Sequence, residues 1–273
     1  MLAFSEARGP NKTSAADSGN NHIVVRRSTT GGETWGPIIH VAWNDWAEGC
    51  PHVHPASLCT FLSDPVPLYD AATKAFTVVF THSSDTVFTT RSTTLGLTWS
   101  RPVNITAQAK MPSWRREQFS YFVGPGGGLV LRGSNRFVVP GLHSNDNATG
   151  HGLFENNTAW GLSMQNHALV SDDSGVSWRI SEPVAKLPGC ASHAPTTSTV
   201  ECGDEFELAE TVNGTLVGVI RTQAGHPATT FSSTRGQSFS ARTDLIESIV
   251  APSCQLSILG LVSVCHNEIP VLC

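Results

Sequence analysis

The 273-residue sequence has little charge and no long apolar run. Charged residues make up 14% and hydrophobic residues 40%, a composition that does not predict disorder. The net charge of −5 argues against nucleic acid or an anionic membrane as a partner. Because no stretch of about 18 apolar residues occurs, we expect no membrane span. Residues 1–8 lack the basic and apolar regions of a signal peptide. The compartment stays open, since a cytoplasmic, lysosomal or secreted protein fits equally.

Cysteine and histidine are present, but their number and spacing predict neither a complete disulfide framework nor a metal site. The seven cysteines are an odd number, so they do not imply a complete set of disulfides. His52 and His54 lie two residues apart beside Cys50 and Cys59, which fits either a zinc cluster or ordinary loop residues, and we favour the loop. The eleven histidines include no His-Glu-x-x-His spacing. We therefore predict no metal and no cofactor.

One eight-residue pattern recurs four times. Each copy has Ser first, Gly fifth, a hydroxyl residue seventh and an aromatic residue eighth: Ser28–Trp35, Ser92–Trp99, Ser171–Trp178 and Ser232–Phe239. A short polar side chain in third place can bond to backbone amides of a tight turn, and Gly supplies a positive φ. That third residue is Asp173 in the third copy and Thr in the others. The copies start about 60 to 80 residues apart, a period that predicts repeated four-stranded units.

Short β-branched and aromatic runs between Gly, Pro, Asn and Asp predict an all-β chain without amphipathic helices. Strands are expected at 23–25, 76–80, 129–131, 137–139, 168–170, 216–220 and 257–262. Asn213-Gly214 predicts a hairpin. Repeated units have to close on one another, because open sheets expose backbone and apolar faces. We therefore expect residues 256–273, which are apolar and then stop, to be a divergent or truncated tail.

Six segments, in order along residues 1 to about 260, carry a family resemblance. They are Leu2-Ala-Phe-Ser-Glu-Ala-Arg8, Asp64-Pro-Val-Pro-Leu-Tyr-Asp70, Thr98-Trp-Ser-Arg-Pro102, Arg116-Glu-Gln-Phe-Ser-Tyr-Phe-Val-Gly-Pro-Gly126, Glu205 to Arg221, and Ser253-Cys-Gln-Leu-Ser257. With the repeated turn, the Asp-box, they resemble exo-α-sialidases (neuraminidases), and the animal type more than the bacterial type. The resemblance implies an all-β, six-bladed β-propeller, incomplete here, with residues 1–255 as the partial propeller.

The resemblance also implies a reaction. Sialidases hydrolyse terminal α-linked sialic acid from glycoproteins, glycolipids such as gangliosides, or oligosaccharides, with retention and without a metal. Arginine guanidinium groups match the sugar's carboxylate bidentately. A Tyr phenol activated by a Glu is the nucleophile, and an Asp is the acid and base. By position, Arg8 and Arg221 would bind the carboxylate, Asp17 would be the acid/base and Glu205 would activate the nucleophile, with Asp64, Glu117 and Gln255 as further pocket residues.

Each assignment also has an ordinary interpretation. Asp17 would otherwise be a turn residue, and Glu117 a solvated neighbour of Arg116. Glu205 competes with Glu201 and Glu207, and its spacing of nine residues to Gly214 favours it.

Several family elements are missing. The Arg of an upstream F-R-I-P segment has no counterpart, and no Arg or Tyr follows residue 255. Tyr69 and Tyr121 belong to other motifs, and Leu142 and Ser144 replace pocket tyrosines. We therefore expect little or no hydrolysis by these 273 residues. A catalytically inactive, sialoglycan-binding propeller and an Asp-box scaffold for protein partners stay open. The scaffold predicts that the assigned residues do not converge.

Overall fold

The computed structural model contains sixteen short strands and one short helix among the residues that it describes. It describes residues 1–8, 21–43, 62–82, 86–111, 121–144, 164–185, 203–222, 225–241, 243–246, 248–251 and 254–260. The elements in these ranges are β1 (Leu2–Arg8), β2 (Asn21–Arg27), β3 (Ile39–Ala42), β4 (Leu62–Asp70), β5 (Ala75–His82), β6 (Thr86–Ser92), β7 (Val103–Asn104), α1 (Thr106–Ala109), β8 (Tyr121–Val123), β9 (Leu129–Val130), β10 (Phe137–Ser144), β11 (Met164–Ser171), β12 (Arg179–Ile180), β13 (Phe206–Glu210), β14 (Leu216–Ile220), β15 (Ala228–Ser232) and β16 (Thr243–Leu245). The predicted all-β class is confirmed. Among these residues, the single short helix cannot reach across a membrane.

The strands form four antiparallel sheets that follow one another along the chain. Sheet A has the order β1-β2-β3, and sheet B the order β4-β5-β6-β7. Sheet C runs β8-β10-β11-β12 with β9 beside β10, and sheet D runs β13-β14-β15-β16. Packing contacts join A to B, B to C and C to D. Six blades, closure into a ring and the division at residue 255 stay predictions.

The core lies between neighbouring sheets, because inner strands are covered on both faces. In β5, Val78 and Phe80 pack toward sheet A, whereas Val79 between them packs toward sheet C. The alternation is the period of two that any strand has. Burying each such side chain contributes about 1.5–3 kcal/mol. Runs of consecutive apolar residues therefore mark strands sandwiched between two sheets.

The four repeated turns share their hydrogen bonds. In each, the hydroxyl of the first Ser accepts the N–H of the fifth-place Gly at 2.8 or 2.9 Å. The third side chain accepts the N–H of the seventh residue, also at 2.8 or 2.9 Å. The fifth-place glycines have positive φ, as the pattern predicts. The fourth residue is left-handed too, although it is Leu95, Ser174 and Arg235 in three copies. The sequence pattern did not predict this left-handed conformation at the fourth position.

The eighth-place aromatic residues differ more than the turns do. Trp178 is buried and its indole N–H donates to the carbonyl oxygen of Gly175 at 3.2 Å. Trp99 packs edge-on against Phe4 of sheet A, with ring centroids 5.8 Å apart. Trp35 is exposed. The aromatic residue therefore closes its own turn in the third copy and joins two sheets in the second.

Replacing Asp173 with Thr is expected to lower the free energy of unfolding by about 1 kcal/mol at pH 7. Asp173 accepts the amide of Val176 at 3.1 Å and the Ser177 hydroxyl at 2.6 Å, besides the Ser177 amide. Burial pushes the pKa of Asp173 up, but hydrogen bonds from Ser177, Ser171 and Val176 lower it overall. The extra stability that Asp173 provides over Thr is therefore present at pH values above the ordinary pKa of an aspartate. It is lost as the pH falls through the lowered pKa of Asp173 in the folded protein. Urea unfolding of the Asp173→Thr variant measures this loss of stability. The control is Val176→Thr, a substitution at a site of the same turn that is 73% exposed. Equal stability of the two variants would contradict the expectation.

Two further sequence predictions have clear outcomes. The hairpin at Asn213-Gly214 is confirmed: Gly214 has φ +84°, and Asn213 Oδ1 accepts the N–H of Thr215 at 3.2 Å. The strand predicted for 257–262 is wrong for residues 257–260, which pair with no strand of the described chain. Gly260 lies close to β13, because a Cβ there would be 2.6 Å from the carbonyl oxygen of Glu210. Apolar residues become a strand only where an edge pairs with them. Cys50, His52, His54 and Cys59 lie outside the described residues.

Candidate functional site

One cavity is bordered by segments of three sheets. It has a volume of about 460 Å³, and its lining residues come from β1, β4 and the loop after β8: Leu2, Phe4, Ser5, Glu6, Asp64, Pro65, Pro67, Pro125 and Gly126. Sheet D reaches the same place, because the Glu207 carboxyl lies directly behind Gly126. Side chains distant in sequence therefore meet here.

Asp64 occupies an irregular point of β4. Pro65 has no N–H to give the ladder, and the register of β4 with β5 shifts between Ser63 and Val66. Asp64 itself has φ +56°, and its N–H donates to Glu6 Oε1 at 2.7 Å. The bulge thus links the strand to sheet A. Burial raises the pKa of Asp64 to about 7, and the charges of Glu6 and Glu205 act in the same direction.

Arg221 is held by two acidic residues. Its Nη1 lies 3.0 Å from Glu205 Oε2, and its Nε lies 3.4 Å from Asp204 Oδ2. The hairpin creates this pairing. Phe206 faces Ile220 across β13 and β14, so Glu205 and Arg221 are the next pair, and the Arg221 N–H donates to the Glu205 carbonyl oxygen at 2.9 Å. Asp204 is buried, while the Arg221 side chain is 24% exposed and reaches solvent.

Glu207 is another buried carboxyl of the group. Its residue is 3% exposed, and Oε2 accepts the N–H of Gly127 at 3.4 Å. Oε1 has no hydrogen-bond partner among the described residues. A Cβ on Gly126 would lie 1.4 Å from Oε1, so only glycine fits there. Burial raises the pKa of Glu207 to about 8, opposed by the Gly127 N–H and assisted by the charge of Glu205.

The sequence-predicted site residues divide into two groups. Asp64 lines the cavity, whereas Glu205 and Arg221 pair with each other outside its lining, and the charge of Glu205 acts on Asp64. Gln255 is exposed and reaches its rim, donating from Nε2 to the Pro125 carbonyl oxygen at 3.1 Å. The remaining three give no test: Arg8 ends β1 but its side chain is outside the described part, and Asp17 and Glu117 are outside it altogether.

Neither tyrosine lines this cavity. Tyr69 is exposed at the end of β4 and stacks on Phe76 with centroids 4.6 Å apart. Tyr121 is fully buried, its ring centroid 4.8 Å from that of His167. Burial raises the pKa of Tyr121 well above the ordinary value of a phenol. A buried, neutral phenol is poorly suited to act as a nucleophile.

Sequence reasoning missed Glu6 and the Gly126-Gly127 loop as parts of the site. Glu6 shares one face of β1 with Leu2 and Phe4, since side chains two apart point the same way. An acid on an otherwise apolar strand face was the signal that would have found it. Glu207 was considered only as a competitor of Glu205, whereas the structure gives the two carboxyls different partners.

The arrangement combines one guanidinium with several carboxyls. Because Asp64 has a pKa of about 7, it can exchange a proton near neutral pH, as a general acid or base requires. Protonated Asp64 and Glu207 also reduce the negative charge near Glu205. No group of three or more metal-ligating side chains occurs among the described residues.

The fold has known counterparts, although no protein-family model matches the sequence. A Hadza microbial sialidase superposes with a TM-score of 0.64 at 21% identity, over 93% of this chain and 46% of that one. The K499G mutant of NanB sialidase from Streptococcus pneumoniae gives 0.66 at 14% identity, over 94% and 52%. Trypanosoma rangeli sialidase gives 0.63 at 15%, over 95% and 39%. The chain thus has a sialidase fold and spans about half the length, or less, of these structures. The likeness to the animal type stays a prediction.

Proposed function

We propose that this chain is a sialic-acid-recognising part of an exo-α-sialidase-type propeller. The observation that carries the proposal is the Glu205–Arg221 pair at 3.0 Å, beside Asp64 and within a sialidase fold. The ligand would be terminal α-linked sialic acid of glycoproteins, glycolipids or oligosaccharides. The scaffold alternative, in which the assigned residues do not converge, gains no support from this pair.

Each residue has a role that follows from its chemistry. Arg221, with Arg8, would bind the sialic acid carboxylate through charge-assisted hydrogen bonds. The carboxyls of Glu205 and Asp204 fix the Arg221 guanidinium, which limits the entropy lost on binding. Asp64 and Gln255 would contact the sugar from the rim, with Glu117 as a further pocket residue. Protonation of Asp64 and Glu207 would lessen the repulsion of an anionic ligand.

Hydrolysis needs more than this pocket. In the proposed reaction, Asp17 would protonate the leaving oxygen, and Glu205 would accept the proton of an attacking phenol. The Trypanosoma rangeli structure holds a covalent intermediate with 2,3-difluorosialic acid, which shows that such a fold supports covalent chemistry in that protein. Since Tyr69 and Tyr121 lie outside the cavity, we expect this chain to bind sialosides and turn them over slowly or not at all.

Arg221→Lys is expected to weaken binding of an α-methyl sialoside at least tenfold. Lys retains the charge but loses the forked donor pair that matches a carboxylate. Titration calorimetry or saturation-transfer NMR measures the loss. Arg132→Lys is the matched control, because Arg132 also pairs with a glutamate of sheet D at 3.4 Å, but that glutamate, Glu210, lies at the opposite end of β13 from Glu205.

Three outcomes separate the alternatives. Binding without turnover of a fluorogenic α-sialoside supports the proposal. Turnover that Asp17→Ala abolishes would make these residues a working sialidase. Absence of sialoside binding, or equal binding by R221K and the wild type, would refute recognition through Arg221.

A further inference from the structure

Two Asn-x-Thr sequences lie within the described residues. Asn104-Ile-Thr106 runs from the end of β7 to the start of α1, and Asn213-Gly-Thr215 lies in the turn between β13 and β14. A sequence of this type, with a residue other than proline in the middle, is the acceptor for N-linked glycans. Three more such sequences begin at residues outside the described part of the chain: Asn11, Asn147 and Asn156. The structure therefore bears on the two at Asn104 and Asn213.

The asparagine side chain is held in the same way in both sequences. Asn104 Oδ1 accepts the N–H of Thr106 at 2.9 Å, and Asn213 Oδ1 accepts the N–H of Thr215 at 3.2 Å. Each is an Asx turn, in which the side-chain oxygen points back to the backbone, so that Nδ2 is directed away from it. Among the described residues, neither Nδ2 donates a hydrogen bond, and both asparagines are exposed. The nitrogen that would carry a glycan is therefore accessible at both positions.

Each of these asparagines directly follows an exposed valine. Val103 is 59% exposed and Val212 is 78% exposed. A single exposed valine is ordinary on a protein surface, and Val176 is 73% exposed with no acceptor sequence beside it. An N-linked glycan is bulky and hydrophilic, so one on the next residue would cover the valine and keep it from contact with other molecules. The same juxtaposition at both positions gives the glycans a physical role.

The other three described asparagines do not combine exposure with an acceptor sequence. Asn21 and Asn166 are buried. Asn135 is exposed, but Phe137 stands two residues later where an acceptor needs Ser or Thr. Asn135 is therefore an internal control for any modification that depends on exposure alone. Neither Asn104 nor Asn213 lines the cavity of about 460 Å³, so a glycan on either would replace no side chain of its lining.

We propose that Asn104 and Asn213 are N-glycosylation sites, and that their glycans cover Val103 and Val212 and so limit self-association of the protein. In the reaction, an oligosaccharyltransferase forms a bond between the asparagine Nδ2 and the anomeric carbon of an oligosaccharide. The bond from that carbon to a polyprenyl diphosphate breaks, and the diphosphate leaves with the proton that Nδ2 gives up. The proposal places the chain in the secretory pathway and does not depend on sialic acid recognition.

The first test expresses the full 273-residue chain behind a cleavable signal peptide in cultured mammalian cells. Treatment with peptide-N-glycosidase in heavy-oxygen water converts each glycosylated asparagine to a labelled aspartate, which peptide mass spectrometry assigns to its position. We expect label at Asn104 and Asn213 in more than half of the molecules, and none at Asn135. Thr215→Ala is expected to abolish the label at Asn213, whereas Thr215→Ser, which keeps the hydroxyl of the acceptor sequence, is expected to retain it.

The second test asks whether the glycans cover apolar surface. A double variant, Asn104→Gln with Thr215→Ala, lacks both acceptor sequences and is expected to reach at most half the soluble concentration of the wild type. Adding Val103→Thr and Val212→Thr to that variant is expected to restore most of the solubility. Val176→Thr is the matched control, because it makes the same change at an equally exposed valine that has no acceptor sequence beside it, and it should restore none.

Other results would overturn the proposal. An unlabelled asparagine at position 104 or 213 would refute that position as an acceptor. If the chain is not secreted, cell-free translation with microsomes gives the same readout, because the glycan is transferred before secretion. Equal solubility of the double variant and the wild type, or equal restoration by Val176→Thr, would refute the covering role. Circular dichroism of each variant against the wild type verifies that the fold is retained.

Discussion

An alanine at position 126 is expected to lower the free energy of unfolding by about 2–5 kcal/mol. Gly126 has φ +132°, which side chains rarely adopt. Its Cβ would also lie 1.4 Å from Glu207 Oε1, so the buried carboxyl would have to leave its place. Urea unfolding at pH 7 measures the loss.

Two variants separate the causes of this loss. Gly133 also has positive φ, at +66°, but a Cβ there would meet nothing within 4 Å. Gly133→Ala therefore reports the backbone cost alone, about 1–2 kcal/mol. In the double variant Gly126→Ala with Glu207→Ala, the clash is removed, so its destabilisation should fall below the sum of the single effects. A Gly126→Ala protein no less stable than Gly133→Ala would contradict the described contact.

Glu207→Gln is expected to make the protein more stable at alkaline pH, by up to about 5 kcal/mol at pH 9. The pKa of Glu207 is about 8 in the folded protein and about 4.5 as a free side chain. The folded state therefore holds a proton that the unfolded state has released. The contribution of Glu207 to stability is therefore greatest below pH 4.5 and is lost as the pH rises through 8. Glutamine does not titrate, and its amide oxygen can still accept the Gly127 N–H.

The pH dependence is what identifies the mechanism. The gain should be smallest near pH 4.5 and should grow up to about pH 8, in unfolding experiments across that range. Asp64 titrates in both proteins and so largely cancels in the comparison. Glu33→Gln, on an exposed turn, is the control for the removal of one carboxyl charge. A gain that is constant with pH would mean that Glu207 is not protonated in the folded protein.

Local features of this fold were predictable from the sequence. The repeated turns form through side chains within eight residues of one another, so their pattern predicted their hydrogen bonds. The hairpin at Asn213-Gly214 was likewise predictable, and in its observed register Glu210 faces Leu216, so Glu205 and Arg221, each eight residues from Asn213, lie opposite each other. The spacing of Glu205 and Arg221 about Asn213, which suggested a functional pair, also follows from antiparallel pairing of the two strands of the hairpin.

Features that depend on sheet-to-sheet packing were not predictable. The positive φ of Asp64, the glycine requirement at 126 and the high pKa of Glu207 all arise where separate sheets meet. The 257–260 segment failed as a strand for a related reason. Its sequence is apolar enough, but pairing requires an available edge, and edges are a property of the assembled sheets.

The serial order of the four sheets has a kinetic consequence. Each sheet is a meander of strands close in sequence, so it can form as soon as its own segment has left the ribosome. The cavity draws on β1, β4 and the loop after β8, with Glu207 behind it, and so has no counterpart in any one sheet. During refolding, ligand binding should therefore recover later than the circular dichroism signal of the β-strands. The delay between the two would measure how long the sheets, once formed, take to dock against one another.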